Sequence, residues 1–173
     1  TMNKTLITAM FFFFTISLAI GQEFKFKKEI EFSPIGNFTT IKGINFFNLG
    51  GTVTFRRYVN PKLALYGEFG AGFAKASGEG SNFSFKSYTF GIGLNYFFKE
   101  NQKGFYANLG YSNGRTNFSN YFYNDDTWYG KVGLGYRINL SERLYLNLEQ
   151  NLKFNFGEKS AFLDPRIGIG IRF

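Results

Sequence analysis

Hydrophobic and polar residues alternate with a period of two along most of the chain. The clearest segment is 143–156, RLYLNLEQNLKFNF, in which every even position is Leu or Phe except Gln150. The odd positions hold Tyr or a polar residue. Successive side chains of a β-strand point to opposite faces, so this alternation predicts a two-faced strand and not a helix.

The same alternation recurs in six other segments: 46–59, 62–74, 86–98, 105–112, 127–140 and 166–173. An eighth strand is expected between Glu23 and Ile44. EFKFKKEIEF (23–32) fits it best, and NFTTIKGINF (37–46) is a candidate to extend or replace it. The pattern therefore predicts eight strands.

The predicted connections alternate in length. Short ones lie at 59–62, 99–103 and 140–142, and longer polar ones lie at roughly 33–45, 76–84, 113–126 and 157–164. Short turns at one end and long loops at the other are typical of outer-membrane barrels. We therefore predict an all-β fold, an eight-stranded antiparallel up-and-down transmembrane β-barrel.

Composition supports this fold and narrows the chemistry. Aromatic residues make up 21% of the chain and there are 21 Gly, which favours strands over helices. There is no Cys and no His. The net charge of +8 comes from basic residues spread along the chain, without a basic cluster, so nucleic acid is not expected as a partner.

The N-terminal segment has the features of a secretory signal peptide. Asn3 and Lys4 precede the apolar run LITAMFFFFTISLAI, and the small residues Ala19 and Gly21 lie at its end. The run is shorter than the ~20 apolar residues that a membrane-spanning helix needs. We expect a signal peptide over 1–21 and a barrel domain over 22–173.

Aromatic residues form two groups along the predicted strands. Tyr58, Tyr96, Phe97, Phe98 and Phe105 flank the short turns, and Phe85, Tyr88, Tyr111, Tyr123, Trp128, Tyr129 and Phe156 lie near the long loops. Two such zones resemble the aromatic girdles of membrane barrels. A soluble lipocalin-like barrel, with its apolar face turned inward around a ligand, remains an alternative.

The segment RIGIGIRF, 166–173, resembles the C-terminal signal of bacterial outer-membrane barrels. Its pattern is filled by Arg166, Gly168, Ile171 and Phe173. With the alternating segments and the signal peptide, the chain resembles the small eight-stranded barrels of the OmpA transmembrane domain and OmpX type. The resemblance implies an outer-membrane location, recognition of these four residues by the barrel-assembly machinery, and a last strand that closes against the first.

Neither catalytic residues nor cofactor or metal sites are expected. Membrane-embedded barrel enzymes such as lipid A deacylases rely on a His, which this chain lacks. The charged residues of the polar faces instead predict a charge network inside the lumen, formed by Glu68, Glu149, Lys131, Arg137, Lys153 and Arg166. We expect Glu149 to pair with Arg166, Lys131 or both.

Two classes of function follow from this fold. The first is a non-enzymatic barrel with a structural or surface-interaction role through its long outer loops. The second is a narrow pore, or an accessory subunit of an outer-membrane transport complex. Expected partners are outer-membrane lipid and lipopolysaccharide, the barrel-assembly machinery during biogenesis, and a larger outer-membrane complex.

Overall fold

The computed structural model describes residues 28–41, 44–78, 81–118, 124–157 and 159–173. They form a closed barrel in which each strand pairs antiparallel with its sequence neighbours and β1 pairs with β8. The predicted fold class is confirmed. The strands are β1 Lys28–Ile41, β2 Ile44–Tyr58, β3 Leu63–Gly78, β4 Ser81–Phe97, β5 Gly104–Phe118, β6 Asn124–Asn139, β7 Leu144–Asn155 and β8 Ser160–Arg172.

The apolar face of each strand points outward. Phe90, Leu109 and Ile167 are 57–61% exposed on this outer surface, whereas Tyr106, Asn95 and Arg137 are buried in the lumen. The lipocalin-like alternative requires the opposite orientation and is excluded by this arrangement. A continuous apolar outer face of this kind suits contact with lipid hydrocarbon. The described residues include no helix long and apolar enough to cross a membrane.

The predicted long loops are largely strands. Residues 33–41, 76–78, 113–118 and 160–164 all belong to the barrel and pair with their neighbours. These segments contain Ser, Gly, Asn or Asp, which also mark loops, so their sequence resembles that of a loop. Backbone pairing, which the side-chain pattern does not report, keeps these segments extended.

The first strand continues beyond the end of 23–32, and residues 23–27 lie outside the described residues. β1 starts at Lys28 and continues to Ile41, opposite Ile44 at the start of β2. The segment 37–46 therefore extends the first strand and begins the second. Residues 1–27, including the predicted signal peptide, lie outside the described residues.

The turn between β6 and β7 sets the register of the lumen. Leu140 N and Ser141 N donate to Leu144 O, at 2.9 and 3.0 Å, so Asn139 faces Tyr145. A tighter turn near Ser141, as expected from the sequence, would place Lys131 opposite Asn151. The wider turn places Lys131 opposite Lys153 instead.

Part of each predicted aromatic zone lies on the outer face. Tyr96, Phe98 and Phe105 point outward near the short turns. At the other end Tyr111 stacks on Trp128, with ring centroids 5.2 Å apart. Four residues that the sequence places in the girdles fall on inward positions of their strands: Tyr58, Phe97, Phe85 and Tyr129. Of these, Tyr58 and Phe97 are buried in the lumen. Tyr123 lies outside the described residues.

Candidate functional site

The candidate site is the lumen, which holds two groups of charged residues. The lower cluster lies near the short turns and consists of Glu29, Glu31, Arg56, Arg137 and Arg172. Glu29 Oε1 accepts hydrogen bonds from Arg137 Nη1 at 2.9 Å and from Arg172 Nε at 3.0 Å. Arg56 donates to Glu31 at 2.8 Å. All five side chains are buried, so each charge depends on these partners and not on water.

Arg137 is enclosed by aromatic rings. Its guanidinium carbon lies 4.1 Å from the ring centroid of Tyr145 and 4.6 Å from that of Phe97. Arg137 also donates to the hydroxyl of Tyr58 at 2.8 Å. The ring faces attract the cation electrostatically, and together with these side chains Arg137 fills the lower part of the barrel.

The upper cluster lies farther from the short turns and consists of Glu68, Asp164, Lys131, Lys153 and Arg166. Glu68 Oε2 accepts from Lys131 and from Arg166, both at 2.8 Å. Asp164 Oδ2 accepts from Lys153 at 2.8 Å and from Arg166 at 2.9 Å. Arg166 therefore bridges the two carboxylates and connects β3 to β8 across the lumen.

Glu149 has partners other than the expected cations. Arg166 is its direct neighbour across β7 and β8, yet the guanidinium reaches Glu68 and Asp164. The Glu149 carboxylate instead accepts from the Tyr106 hydroxyl and from Asn151 Nδ2. Glu68 takes both cations because it enters the lumen from β3, on the opposite wall, between Lys131 and Arg166.

All six residues of the predicted lumen network lie inside the barrel. The sequence does not single out five further charged residues that also do so: Glu29, Glu31, Arg56, Asp164 and Arg172. Four of them could have been identified from their place at the polar positions of alternating segments: Glu29, Glu31, Arg56 and Arg172. Asp164 falls in a segment predicted as a loop.

Glycines make room for the tyrosines of the lumen. A Cβ at Gly135 would overlap the ring of Tyr106, and one at Gly170 would overlap the ring of Tyr145. Each ring therefore lies flat against the backbone of a neighbouring strand. The narrow barrel is filled by side chains, as expected for eight strands.

Gly135→Ala should reduce stability because the added methyl overlaps Tyr106, which is fixed by its bond to Glu149. Overpacking of this kind costs about 1–3 kcal/mol. The measurement is urea unfolding in detergent micelles. Gly67→Ala is the control, since the nearest atom to its Cβ is 4.0 Å away. Equal stability of the two variants would contradict the packing described.

Little empty space remains between the two clusters. The space there, bounded by residues of both clusters including Arg56, Tyr66, Glu68 and Glu149, is too small to hold a water molecule. Arg56 and Asn95 are hydrogen-bonded to each other at 2.9 Å just below it. The described side chains therefore obstruct the lumen at this level.

Outside the barrel, three basic residues form a group that we call the basic face: Lys75, Lys86 and Arg115. Lys86 faces Phe73 in β3, and Arg115 faces Tyr88 in β4, so Lys86 is a diagonal neighbour of both Lys75 and Arg115 on one outer surface. Residues in this relation are about 7–8 Å apart. The basic face lies on the far side of Tyr88 and Tyr111 from the short turns.

Neither a protein-family model nor a curated protein matches the sequence. Solved structures match over the length of the barrel. The outer membrane protein Ail of Yersinia pestis in a phospholipid bilayer nanodisc is 15% identical, with a TM-score of 0.54, and the match covers 86% of this chain and 100% of Ail. Ail in complex with the heparin analogue sucrose octasulfate is 17% identical, with a TM-score of 0.57, over 87% and 100%.

The fold is that of the small eight-stranded outer-membrane barrels. Ail shares the closed barrel and is covered over its full length. The resemblance predicted from the alternating segments and RIGIGIRF is confirmed at the level of the fold.

Proposed function

We propose that this chain is a non-enzymatic outer-membrane barrel with a structural or surface-interaction role, exerted through its outer hairpins. The filled lumen carries this proposal. Buried ion pairs and aromatic side chains leave no described path for a solute along the barrel axis. This favours the surface role over a narrow pore.

The location and assembly of the barrel belong to the same proposal. The apolar outer face requires a lipid environment. The four residues of the predicted assembly signal lie in or next to β8, and Phe173 exchanges backbone hydrogen bonds with Lys28 at 3.0 and 3.1 Å. These contacts support recognition of Arg166, Gly168, Ile171 and Phe173 by the barrel-assembly machinery, after export with a cleaved signal peptide.

The basic face supports an interaction with lipopolysaccharide. Lys75, Lys86 and Arg115 are exposed and lie next to the aromatic zone of the outer hairpins, at the level where phosphate groups of the outer leaflet would lie. Cations attract these phosphates and donate charge-assisted hydrogen bonds to them. The sucrose octasulfate complex of Ail shows a polyanion bound to a barrel of the same fold.

Replacing Lys75, Lys86 and Arg115 with Gln should weaken lipopolysaccharide binding, because three cations are lost from one surface. We expect a roughly tenfold or greater loss of affinity at low salt, since such a cation contributes about 1 kcal/mol. The affinity is measured by titrating lipopolysaccharide into the detergent-purified barrel and recording the shift in its unfolding temperature. The matched control replaces Lys99, Lys103 and Arg143 at the short-turn end. Equal affinity of both triple variants would contradict the proposal.

A further inference from the structure

The barrel is closed along only part of the seam between β1 and β8. Pairing covers four positions, from Glu29–Arg172 to Phe32–Ile169, whereas the pairing of β1 with β2 continues to Ile41. Beyond Phe32 and Ile169 the described residues of the two strands form no further pairs. The seam is therefore open in the half of the barrel away from the short turns.

A proline on each strand accounts for the end of pairing. Lys28 and Phe173 exchange both backbone bonds, so every second pair above them is also of the hydrogen-bonded type. In the same register the next two such pairs would be Pro34 with Ile167 and Gly36 with Pro165. Neither proline has an N–H, so each pair would lack one of its bonds.

The orientation of β8 agrees with this account. Arg172 N donates at 2.8 Å to the O of Arg143, which directly precedes β7, so the backbone N–H and C=O groups of the even residues of β8 point to β7 and those of the odd residues point to β1. The backbone N of Pro165 therefore points toward the seam. The two N–H donors that the prolines lack would both lie on the seam side of their strands. Their absence therefore does not weaken the pairing of β1 with β2 or of β8 with β7.

A groove of about 840 Å³ meets the seam at this point. It crosses the outer face from β5 to β1, and its lining includes Leu134, Leu148, Ile167, Pro34 and Pro165. Ile35 and Arg166, which occupy inward positions of their strands, also line it. The groove therefore joins the apolar outer surface to the edge of the lumen.

Gln150 adds a polar group to the groove. It lies on the otherwise apolar face of β7, directly opposite Pro165, and is exposed. A polar side chain on a lipid-facing surface is costly and points to a function. Gln150 and the unpaired backbone of the seam together offer hydrogen bonds beside a hydrocarbon surface.

We propose that the open seam binds an amphiphile with a long hydrocarbon chain, whose polar head lies at Gln150 and the seam and whose chain lies in the groove. Backbone groups left unpaired at the depth of the hydrocarbon are costly unless polar groups reach them. A polar head supplies such groups, and the groove is within the size range of small-molecule sites.

A second copy of the chain is a poorer fit to the seam. A strand added to an open edge is held by backbone hydrogen bonds. Pro34 and Pro165 remove donors from both edges, and prolines at such positions block strand addition. The same two residues that prevent closure therefore favour a lipid-like occupant.

Quenching of tryptophan fluorescence by brominated chains tests the proposal. In a Trp128→Phe background, which removes the single Trp of the chain, Ile35→Trp places the probe at the seam. Phe90→Trp reports the outer face, and Phe97→Trp reports the closed lumen. In vesicles of brominated phosphatidylcholine, or in unbrominated vesicles with added bromostearate, we expect quenching at Ile35→Trp close to that at Phe90→Trp and several-fold above that at Phe97→Trp.

Quenching in vesicles of brominated phosphatidylcholine indicates that the chain belongs to a bilayer lipid. Quenching by added bromostearate indicates that it belongs to a free fatty acid. Adding Pro34→Val and Pro165→Val restores both N–H groups and should reduce quenching at residue 35 several-fold while leaving Phe90→Trp unchanged. Quenching at residue 35 equal to that of Phe97→Trp with both brominated compounds, or unaffected by the two valines, would overturn the proposal.

Labelling with a photoactivatable fatty acid repeats the test without a tryptophan substitution. Adducts on Ile35 and Arg166, the inward positions that line the groove, should be lost in the double valine variant, whereas adducts on β4 should be retained. Equal labelling of Ile35 and Arg166 in the two chains would also overturn the proposal. Heat-modifiable migration on a gel confirms that each variant has folded.

Discussion

Glu29→Gln is expected to be the most destabilising single change in the barrel. Its carboxylate is the shared partner of Arg137 and Arg172, and all three side chains are buried. The variant leaves two cations without a counter-ion in a site that water does not reach. Removing one partner of a buried pair costs about 3–5 kcal/mol. Urea unfolding in detergent micelles measures the loss.

Glu100→Gln is the matched control for Glu29→Gln. Glu100 forms a 3.7 Å ion pair with Lys62 at a short turn, where the Glu100 side chain is 74% exposed. Exposed pairs contribute about 0–1 kcal/mol. If the two variants lost similar stability, the lower cluster would not be held together by charge in a dry lumen.

Glu68→Gln should have the second largest effect, and a second substitution should partly reverse it. The change leaves Lys131 without its 2.8 Å partner, whereas Arg166 keeps Asp164. The expected loss is again about 3–5 kcal/mol. In Glu68→Gln with Lys131→Met the unpaired cation is also removed, and we expect much of the stability to return.

Glu149→Gln separates this account from the pairing predicted by sequence. Glu149 accepts from Tyr106 and Asn151 and forms no ion pair within 4.0 Å with the described residues, so Glu149→Gln should cost less stability than Glu68→Gln. Thermal unfolding of both variants, read from the heat-modifiable band on a gel, gives the order. A larger effect at Glu149 than at Glu68 would contradict the assignment of both cations to Glu68.

The period-two pattern was sufficient to predict the strands, their number and their two faces. In 143–156 the alternation is strict, and β7 occupies Leu144–Asn155 with its polar face buried in the lumen. Alternation reports only which face a side chain is on. The polar residues of 113–118 therefore read as a loop, although backbone pairing with β4 and β6 makes them part of β5.

The partners within the lumen could not be predicted in the same way. Lys131 and Glu68 are on different strands that are not neighbours, and they meet only because the sheet closes. A shift of two residues at the turn after Asn139 also moves Lys131 from Asn151 to Lys153. The open seam depends on two prolines at matching heights, which become comparable only when the register of β1 and β8 is known.

Single-channel recording in a planar lipid bilayer tests the central claim, that the lumen is filled by its own side chains. The native chain should insert without resolvable conductance steps. Arg137→Ser with Tyr106→Ala removes two large buried side chains, and we expect this variant to show steps, which demonstrates insertion under the same conditions. Stable open steps from the native chain, of the size given by the variant, would contradict the account.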